Sequence, residues 1–334
     1  MDILSLLPDE LQVLIISFLT LKESVATSIL SRRWRYLWTF TPRLEFDDTD
    51  SLWKVNTSKR WNLMLRLVRR NFIRWVDHVI SSSHKNSILE SFRVCFNLTS
   101  AYTSFINEWL MYALARKVQI LELDLTYDGS FNVWTDAHFY SFPGDPITLT
   151  HFKHLKKIYV RNVNVSGLVL ELLVCNYCPL LEDLSVYNSI GLSALKIDKP
   201  FAAFKRLEII HCDNLVSMEI RDANLVYLKY GGEVGIHFVL WNVPMLVEIC
   251  AISHKTRGLL TMFSSVLAQL VKLQICIQRK FSWQEANLIY SAVKMSNLKQ
   301  LVVRIYIWDD NSLLPLTKLI QASPSLQRFD LELL

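Results

Sequence analysis

A six-residue pattern that returns along the chain constrains the fold more than any other feature. Each copy reads apolar, two variable, apolar, one variable, apolar, as in Leu89, Phe92 and Val94. One copy alone predicts only a half-buried strand. The later copies recur every 21 to 28 residues or so, which is typical of leucine-rich repeats. Copies begin at Leu89, Val118, Leu155, Leu181, Phe204, Leu225, Leu246, Leu270, Leu298 and Leu326.

The segments between these strands follow two patterns. Helical spacing of apolar residues predicts helices at 104–116, 165–175 and 259–270, and a Ser282/Glu285 capping box predicts one at 286–295. The shorter repeats carry extra strand-like runs instead, at 192–197 and 215–220. We therefore predict an α/β fold, in which a leucine-rich-repeat solenoid has mixed helical and extended outer faces.

Stacked repeats present their variable strand residues on one concave face. Several of these residues are Tyr and Arg, which combine contact area with directed hydrogen bonds in protein recognition. An ordinary solvated sheet face is the alternative for each residue taken singly. The candidates for target contact are Lys157, Tyr159, Arg161, Tyr187, Arg206, Tyr227, Lys229 and Arg304.

The N-terminal forty residues predict three short helices. Pro8 suits a first helical turn, and apolar residues at helical spacing continue to Leu19. Thr20 and Glu23 form a capping box for a second helix at 21–28, and a third is predicted at 32–38. Three such helices bury little surface by themselves, so we expect an apolar face that packs on a partner.

The same region resembles the F-box in the form common in plant proteins, without a gap over residues 7–38. The resemblance implies a three-helix fold that binds a Skp-family adaptor and, through it, a cullin. Core packing remains the alternative role for each candidate contact. The matching residues are Leu7-Pro8-Asp9-Glu10-Leu11, Ile15, Phe18-Leu19, Val25, Ser28, Leu30-Ser31, Arg33-Trp34-Arg35 and Leu37-Trp38. The contacts carried over are Leu7, Pro8, Leu11, Ile15, Leu19, Val25 and Trp34.

Together the two regions resemble the plant F-box/leucine-rich-repeat family. We predict an F-box at 1–47, a connecting amphipathic helical segment at 48–86 and a leucine-rich-repeat domain at 87–334. An FBD region often follows the repeats in this family. None is evident here, so we expect a short isoform or a truncated member.

The formal charge of +5 raises the alternative of nucleic-acid binding. The basic residues concentrate in the connecting segment, where apolar residues interleave with them, as in an amphipathic helix with one solvated face. No nucleic-acid motif accompanies the charge, so we expect no such partner. The basic residues are Lys54, Lys59, Arg60, Arg66, Arg69, Arg70 and Arg74.

No pattern predicts catalysis, a metal or a cofactor. Cys175 and Cys178 form a C-x-x-C pair, but neither a second Cys pair nor a placed His pair completes a zinc site. His151 and His154 flank a strand entrance without acidic companions, and we expect them on the surface. Nucleophile elbows and phosphate-binding loops are also missing from the sequence.

Compartment and function follow from these observations. The chain begins without a basic signal-peptide region, shows no apolar run of membrane-spanning length and has six scattered cysteines. We expect residence in the nucleus, the cytoplasm or both, and no membrane. The resemblance implies a non-catalytic substrate-recognition adaptor of an SCF-type cullin-RING ubiquitin ligase, whose repeats bind an unknown protein. The alternative is a repeat scaffold that does not join a ligase.

Overall fold

The computed structural model describes residues 7–29, 34–56, 61–83, 88–125, 139–254, 258–277, 294–305 and 314–333. The chain divides into two compact units, Met1–Val163 and Asn164–Leu334, and each is treated by itself below. The predicted helix at 286–295 lies almost wholly outside the described residues, as do predicted F-box residues 30–33.

In the described ranges, the helices are short except for Trp61–Ser82 and Thr103–Ala115. They are α1 (Asp9–Ile16), α2 (Leu21–Ala26), α3 (Trp34–Leu37), α4 (Thr49–Asn56), α5 (Trp61–Ser82), α6 (Thr103–Ala115), α7 (Pro146–Leu149), α8 (Gly167–Leu172) and α9 (Leu314–Gln321). Short 3₁₀ helices occupy Thr27–Ile29, Trp38–Phe40, Ser100–Tyr102, Thr150–His154 and Thr261–Phe263, and a π-helical turn occupies Leu173–Tyr177.

The strands alternate with these helices and turns. In the first unit they are β1 (Arg43–Asp47), β2 (Ser91–Cys95), β3 (Ile120–Asp124), β4 (Tyr140–Ser141) and β5 (Lys157–Arg161), and β6 (Val163–Asn164) lies at the division. In the second unit they are β7 (Asp183–Tyr187), β8 (Ala194–Asp198), β9 (Arg206–Ile210), β10 (Ser217–Arg221), β11 (Tyr227–Gly231), β12 (His237–Trp241), β13 (Glu248–Ser253), β14 (Lys272–Ile277), β15 (Gln300–Ile305) and β16 (Arg328–Leu333).

In the first unit β1, β2, β3 and β5 pair side by side and in parallel. The register sets the repeated apolar positions against one another, so that Phe92 lies between Leu44 and Leu121. These side chains are buried. Because strand residues alternate between faces, the variable residues of the six-residue pattern share the opposite face.

In the second unit β7, β9, β11, β13, β14, β15 and β16 form a parallel sheet in that order. A smaller parallel sheet has the order β12-β10-β8. The runs predicted at 192–197 and 215–220 are its strands β8 and β10, whereas β12 was not predicted. Leu195 and Met218 occupy equivalent buried positions in β8 and β10.

Left-handed residues end several of these strands. Asn188 (φ 52°) follows β7 and His211 (φ 53°) follows β9. Their amides donate to the last carbonyl of the neighbouring strand, from Asn188 to Ile210 at 2.9 Å and from His211 to Gly231 at 2.6 Å. Asn and similar polar residues tolerate this conformation better than β-branched ones. Each of these residues therefore ends its own strand, while its amide stays hydrogen-bonded to the neighbouring strand.

The helix predictions have mixed outcomes. The helix predicted at 104–116 is α6, and that at 165–175 is α8 followed by the π turn. The prediction at 259–270 is wrong, because this segment forms turns and one 3₁₀ turn. Gln269 Nε2 donates to the carbonyls of Val243 and Leu246, at 2.8 and 3.0 Å. These bonds tie the end of the segment to the turn that precedes β13.

The N-terminal helices pack within the first unit. Thr20 and Glu23 form the predicted capping box at the start of α2. This helix ends at Ala26 instead of Ser28, and α3 ends at Leu37 instead of Trp38. The predicted start of the third helix at 32–33 lies outside the described residues. Farther along, Phe72 of α5 stacks on Phe96, with ring centroids 4.1 Å apart.

Candidate interaction surfaces

The N-terminal apolar surface consists of Leu11, Leu14, Ile15, Phe18 and Leu19. All five side chains are exposed, and Phe18 is 79% exposed. They recur at the three- and four-residue spacing that places them on one side of α1 and its C-terminal turn. A contiguous apolar patch of this kind on a small helical module is typical of a protein-binding site.

The other side of α1 is fixed to the protein interior. Gln12 and Ile16 are fully buried. Gln12 Nε2 donates to the Leu7 carbonyl at 2.7 Å, and Ser24 of α2 donates through Oγ to the Ile16 carbonyl at 3.2 Å. The Leu7-Pro8 segment and α2 are thereby tied to α1. These hydrogen bonds therefore hold in place the helix that carries the N-terminal apolar surface.

The predicted partner contacts divide by exposure. Leu11, Ile15 and Leu19 lie on the N-terminal apolar surface, Pro8 is exposed, and Leu7 and Val25 are half-buried. Trp34 is only 2% exposed, and we therefore leave it out of the proposed contact surface. The sequence prediction omitted Leu14 and Phe18, although their spacing from Leu11 was a signal that could have found them.

A hollow of about 260 Å³ borders this surface. It extends from the turn after α1 to the first residues of β1. Both apolar and charged side chains line it, which offers a partner directed polar contacts beside the apolar area. Its lining residues are Ser17, Phe18, Leu19, Thr20, Leu21, Ser24, Thr41, Arg43 and Glu45.

The variable face of the first unit's sheet carries a ladder of alternating charges. Arg93 lies between two carboxylates, 3.5 Å from Asp47 and 3.6 Å from Glu122. Glu122 also pairs with Lys157 at 2.9 Å. Of the predicted target contacts, Lys157, Tyr159 and Arg161 all lie half-buried on this face. Desolvation raises the pKa of Tyr159, so its hydroxyl stays a neutral hydrogen-bonding group.

The corresponding face of the second unit brings four predicted contacts together. The guanidinium carbon of Arg206 lies 3.9 Å from the Tyr227 ring centroid. Lys229 Nζ is 3.5 Å from the Tyr187 hydroxyl and 3.7 Å from Glu208 Oε2. Glu208 also accepts a hydrogen bond from the Tyr187 hydroxyl. Burial raises the pKa of Tyr227. Glu208 is the partner that Tyr187, Arg206 and Lys229 share.

Arg304, the remaining predicted contact, lies farther along the same sheet. It donates to Glu332 through Nε at 2.6 Å and through a second nitrogen at 3.1 Å. On this face the seven strands carry five basic and five acidic side chains, so it has no net charge. The basic ones are Arg206, Lys229, Lys272, Arg304 and Arg328, and the acidic ones are Asp183, Glu208, Glu248, Asp330 and Glu332.

The cysteines and histidines singled out in the sequence lie apart from these faces. Cys178 is buried, which raises the pKa of its thiol to about 12. His151 is exposed, and desolvation, followed by the charges of Lys153 and Lys117, lowers the pKa of His154. Within the described ranges, three or more His, Cys, Asp or Glu side chains nowhere converge as a metal site would require.

The basic helix α5 is not wholly a solvated basic face. Arg69 is half-buried and donates through Nε to the Asn97 carbonyl at 2.9 Å. Its guanidinium also lies over the Tyr102 ring, and desolvation lowers its pKa. Arg66, Arg70 and Arg74 are exposed, whereas Lys59 and Arg60 lie outside the described residues. Among helices of the described segments, none is both long and apolar enough to cross a membrane.

Comparisons with known proteins match both regions of the chain. The profile described as "At1g61320/AtMIF1, LRR domain" matches residues 82–334, and an F-box domain profile matches residues 4–45. Among curated proteins of Arabidopsis thaliana, the putative F-box/LRR-repeat protein At5g54820 is 30% identical over 70% of this chain. The F-box/LRR-repeat protein At4g14103 is 29% identical over 74%. The alignments cover 52% and 66% of those two relatives, so the chain spans about half to two thirds of their length.

Proposed function

Since the chain belongs to the plant F-box/leucine-rich-repeat proteins, we propose that it is the substrate-recognition adaptor of an SCF-type cullin-RING ubiquitin ligase. Its F-box region binds a Skp-family adaptor, which links to the cullin, and its repeats bind the protein to be modified. An F-box domain implies Skp-family binding in general. The particular assembly and its target are the proposal.

The N-terminal apolar surface carries this proposal. It exposes five large apolar side chains on one supported helix. Burying a Leu, Ile or Phe side chain contributes roughly 1.5–3 kcal/mol, so a partner that covers several of them would gain substantial affinity. A helical groove of complementary shape suits such an amphipathic face. The same surface in contact with water alone would favour aggregation.

The mechanism is positioning. The transfer of ubiquitin belongs to other subunits, and we assign this chain no catalytic residue. A target held on the repeats reacts at a raised local concentration beside the conjugating enzyme. Faster transfer of ubiquitin then requires that the F-box region and the repeats are bound at the same time, because neither surface alone brings the target to the ligase.

We assign target binding to the variable sheet faces. On the second unit, Tyr187, Arg206, Tyr227 and Lys229 lie on three strands of one sheet and share the carboxylate of Glu208 or an aromatic ring. Side chains held in this way lose little conformational freedom when a target binds. A face with balanced charge favours a target of mixed charge over a strongly acidic or basic one.

Co-purification of the tagged full chain from plant cells tests the assembly. The wild type is expected to retain both a Skp-family protein and a cullin, and the double variant Leu7→Ala with Pro8→Ala to retain much less of both. Recovery of neither from the wild type would overturn the ligase proposal. A fluorescent fusion of the chain tests the proposed residence in the nucleus, the cytoplasm or both.

The alternative function is a repeat scaffold outside any ligase. The balanced sheet faces favour it as well, since they would bind a protein equally well without a cullin. Proximity labelling with and without a proteasome inhibitor separates the two functions. The target of an adaptor becomes more abundant under the inhibitor, and this increase is smaller in cells that carry the Leu7→Ala, Pro8→Ala double variant. The abundance of a scaffold's partner changes neither with the inhibitor nor with the double variant.

A further inference from the structure

Strand β12 is an edge strand with an incompletely covered core position. It pairs with β10 on one side, and no strand within the described residues pairs with its other side. Phe238 lies in register with Met218 of β10 and Leu195 of β8. Those two side chains are fully buried, whereas Phe238 is only half-buried. Its ring touches Tyr230 and Phe263, with centroids 5.7 and 5.1 Å away.

With respect to the described ranges, the outer edge of β12 presents unpaired backbone groups. The His237 amide donates to the Val216 carbonyl, and the Trp241 carbonyl accepts from the Asp222 amide. The backbone amides and carbonyls of residues 237, 239 and 241 therefore point toward β10. Those of Phe238 and Leu240 point to the outer edge, because backbone groups alternate in a parallel ladder. In the part of the chain that the structure describes, the Phe238 amide and carbonyl and the Leu240 amide make no hydrogen bond. The Leu240 carbonyl accepts from Ser265 Oγ at 3.3 Å.

This edge borders a groove of about 540 Å³, which is within the usual range of about 300–1,000 Å³ for binding clefts. The 258–265 segment forms the opposite wall. Trp241, at one end, is 58% exposed. The lining side chains that belong to the described residues are uncharged: Val234, Gly235, Ile236, Phe238, Val239, Leu240, Trp241, Gly258, Thr261, Met262, Ser264 and Ser265.

We propose that the β12 edge binds an extended, uncharged peptide segment of a partner protein by strand addition. The amides and carbonyls of Phe238 and Leu240 alternate along this edge, as hydrogen bonding to a further strand requires. Ser265 holds the Leu240 carbonyl only weakly. The neutral walls disfavour a charged segment, since its charges would lose water without gaining a counter-charge. An apolar side chain of the segment packs on Trp241. This site lies on the smaller sheet and does not depend on the proposed ligase function.

A peptide selection on the full chain tests the site. A phage-displayed library of random 12-residue peptides is panned on the wild type, and selected peptides are synthesised and titrated by calorimetry. We expect uncharged sequences whose affinity falls at least tenfold in Trp241→Ala and less than twofold in Val216→Ala. Val216 is an exposed apolar residue that precedes β10 and serves as the matched control.

N-methylation of the peptide gives a second measurement that a loss of folding cannot imitate. Methyl groups on alternate amides should abolish binding, and those on the intervening amides should leave it within a few-fold, because strand partners donate from every second residue. The proposal is overturned if the library yields no binder, if Trp241→Ala binds equally, or if N-methylation shows no alternation. Self-association that Trp241→Ala removes would make the occupant a second copy and would also overturn it.

Discussion

The guanidinium of Arg206 lies over the Tyr227 ring of the neighbouring strand, with 3.9 Å between guanidinium carbon and ring centroid. The same guanidinium approaches Asp183 and Glu208, each at 3.7 Å. A half-exposed basic side chain is thus held by three neighbours. Such contacts position a residue for recognition and also contribute modestly to stability.

Arg206→Ala should lower the free energy of unfolding by about 0.5–1 kcal/mol, the usual contribution of an exposed cation–π pair. Urea denaturation measures it. Arg221→Ala is the matched control, because Arg221 is similarly exposed but pairs with Glu219 within its own strand. Its expected loss is under about 0.5 kcal/mol. Equal losses would show that the Tyr227 contact contributes nothing.

Gly167→Ala should destabilise the second unit severely. A Cβ at this position would lie 1.7 Å from the Ala194 carbonyl oxygen of β8, so α8 and β8 would have to separate. Leu168→Ala, in the same helix at an exposed position, should change the thermal midpoint little. Equal thermal midpoints for Gly167→Ala and the wild type would contradict the close approach of α8 to β8.

The six cysteines should react in two groups with iodoacetamide at about pH 8, since the thiolate is the nucleophile. Burial raises the pKa of Cys95 and Cys178 to about 12 and that of Cys212 and Cys250 to about 11. Cys175 and Cys276 are only half-buried and should be alkylated first. Peptide mass spectrometry against time checks this order. Rapid alkylation of Cys178 in the folded chain would contradict its placement.

Glu90 should make stability depend on acid pH. Two hydrogen bonds from Arg43, at 2.8 and 3.0 Å, lower the pKa of its carboxyl. A lowered folded-state pKa gives stability that is present above the unfolded pKa and lost as pH falls through the folded value. The wild type should therefore melt slightly above Glu90→Gln at about pH 7, and the gap should close near pH 3. A difference in melting temperature that does not change with pH would exclude the Arg43–Glu90 ion pair as its source.

The strands were predictable because the six-residue pattern places Leu207 and Leu228, among others, in one buried register. β12 escaped prediction because His237–Trp241 is nearly all apolar and lacks the alternation that identifies a strand. The 259–270 segment shows a different failure. Its periodic residues, such as Phe263 and Leu267, are buried as expected. Burial alone does not fix the backbone, because turns can bury the same apolar side chains as a helix.

The N-terminal region shows what a motif can predict about a surface. Helical spacing found the exposed side of α1, including Leu11 and Ile15. It could not tell that Trp34 is enclosed, because an aromatic residue in an apolar pattern packs equally well on a partner or on its own module. Exposure in the folded chain is what separates these roles.

Binding of a purified Skp-family adaptor to the purified full chain tests the central claim most directly. Calorimetry should show a complex with the wild type, an affinity at least tenfold weaker with Phe18→Asp, and no change with Ile147→Asp. Ile147 is 79% exposed, the same as Phe18, but lies on α7. The claim is contradicted if the wild type does not bind the adaptor, or if Phe18→Asp and Ile147→Asp bind it equally.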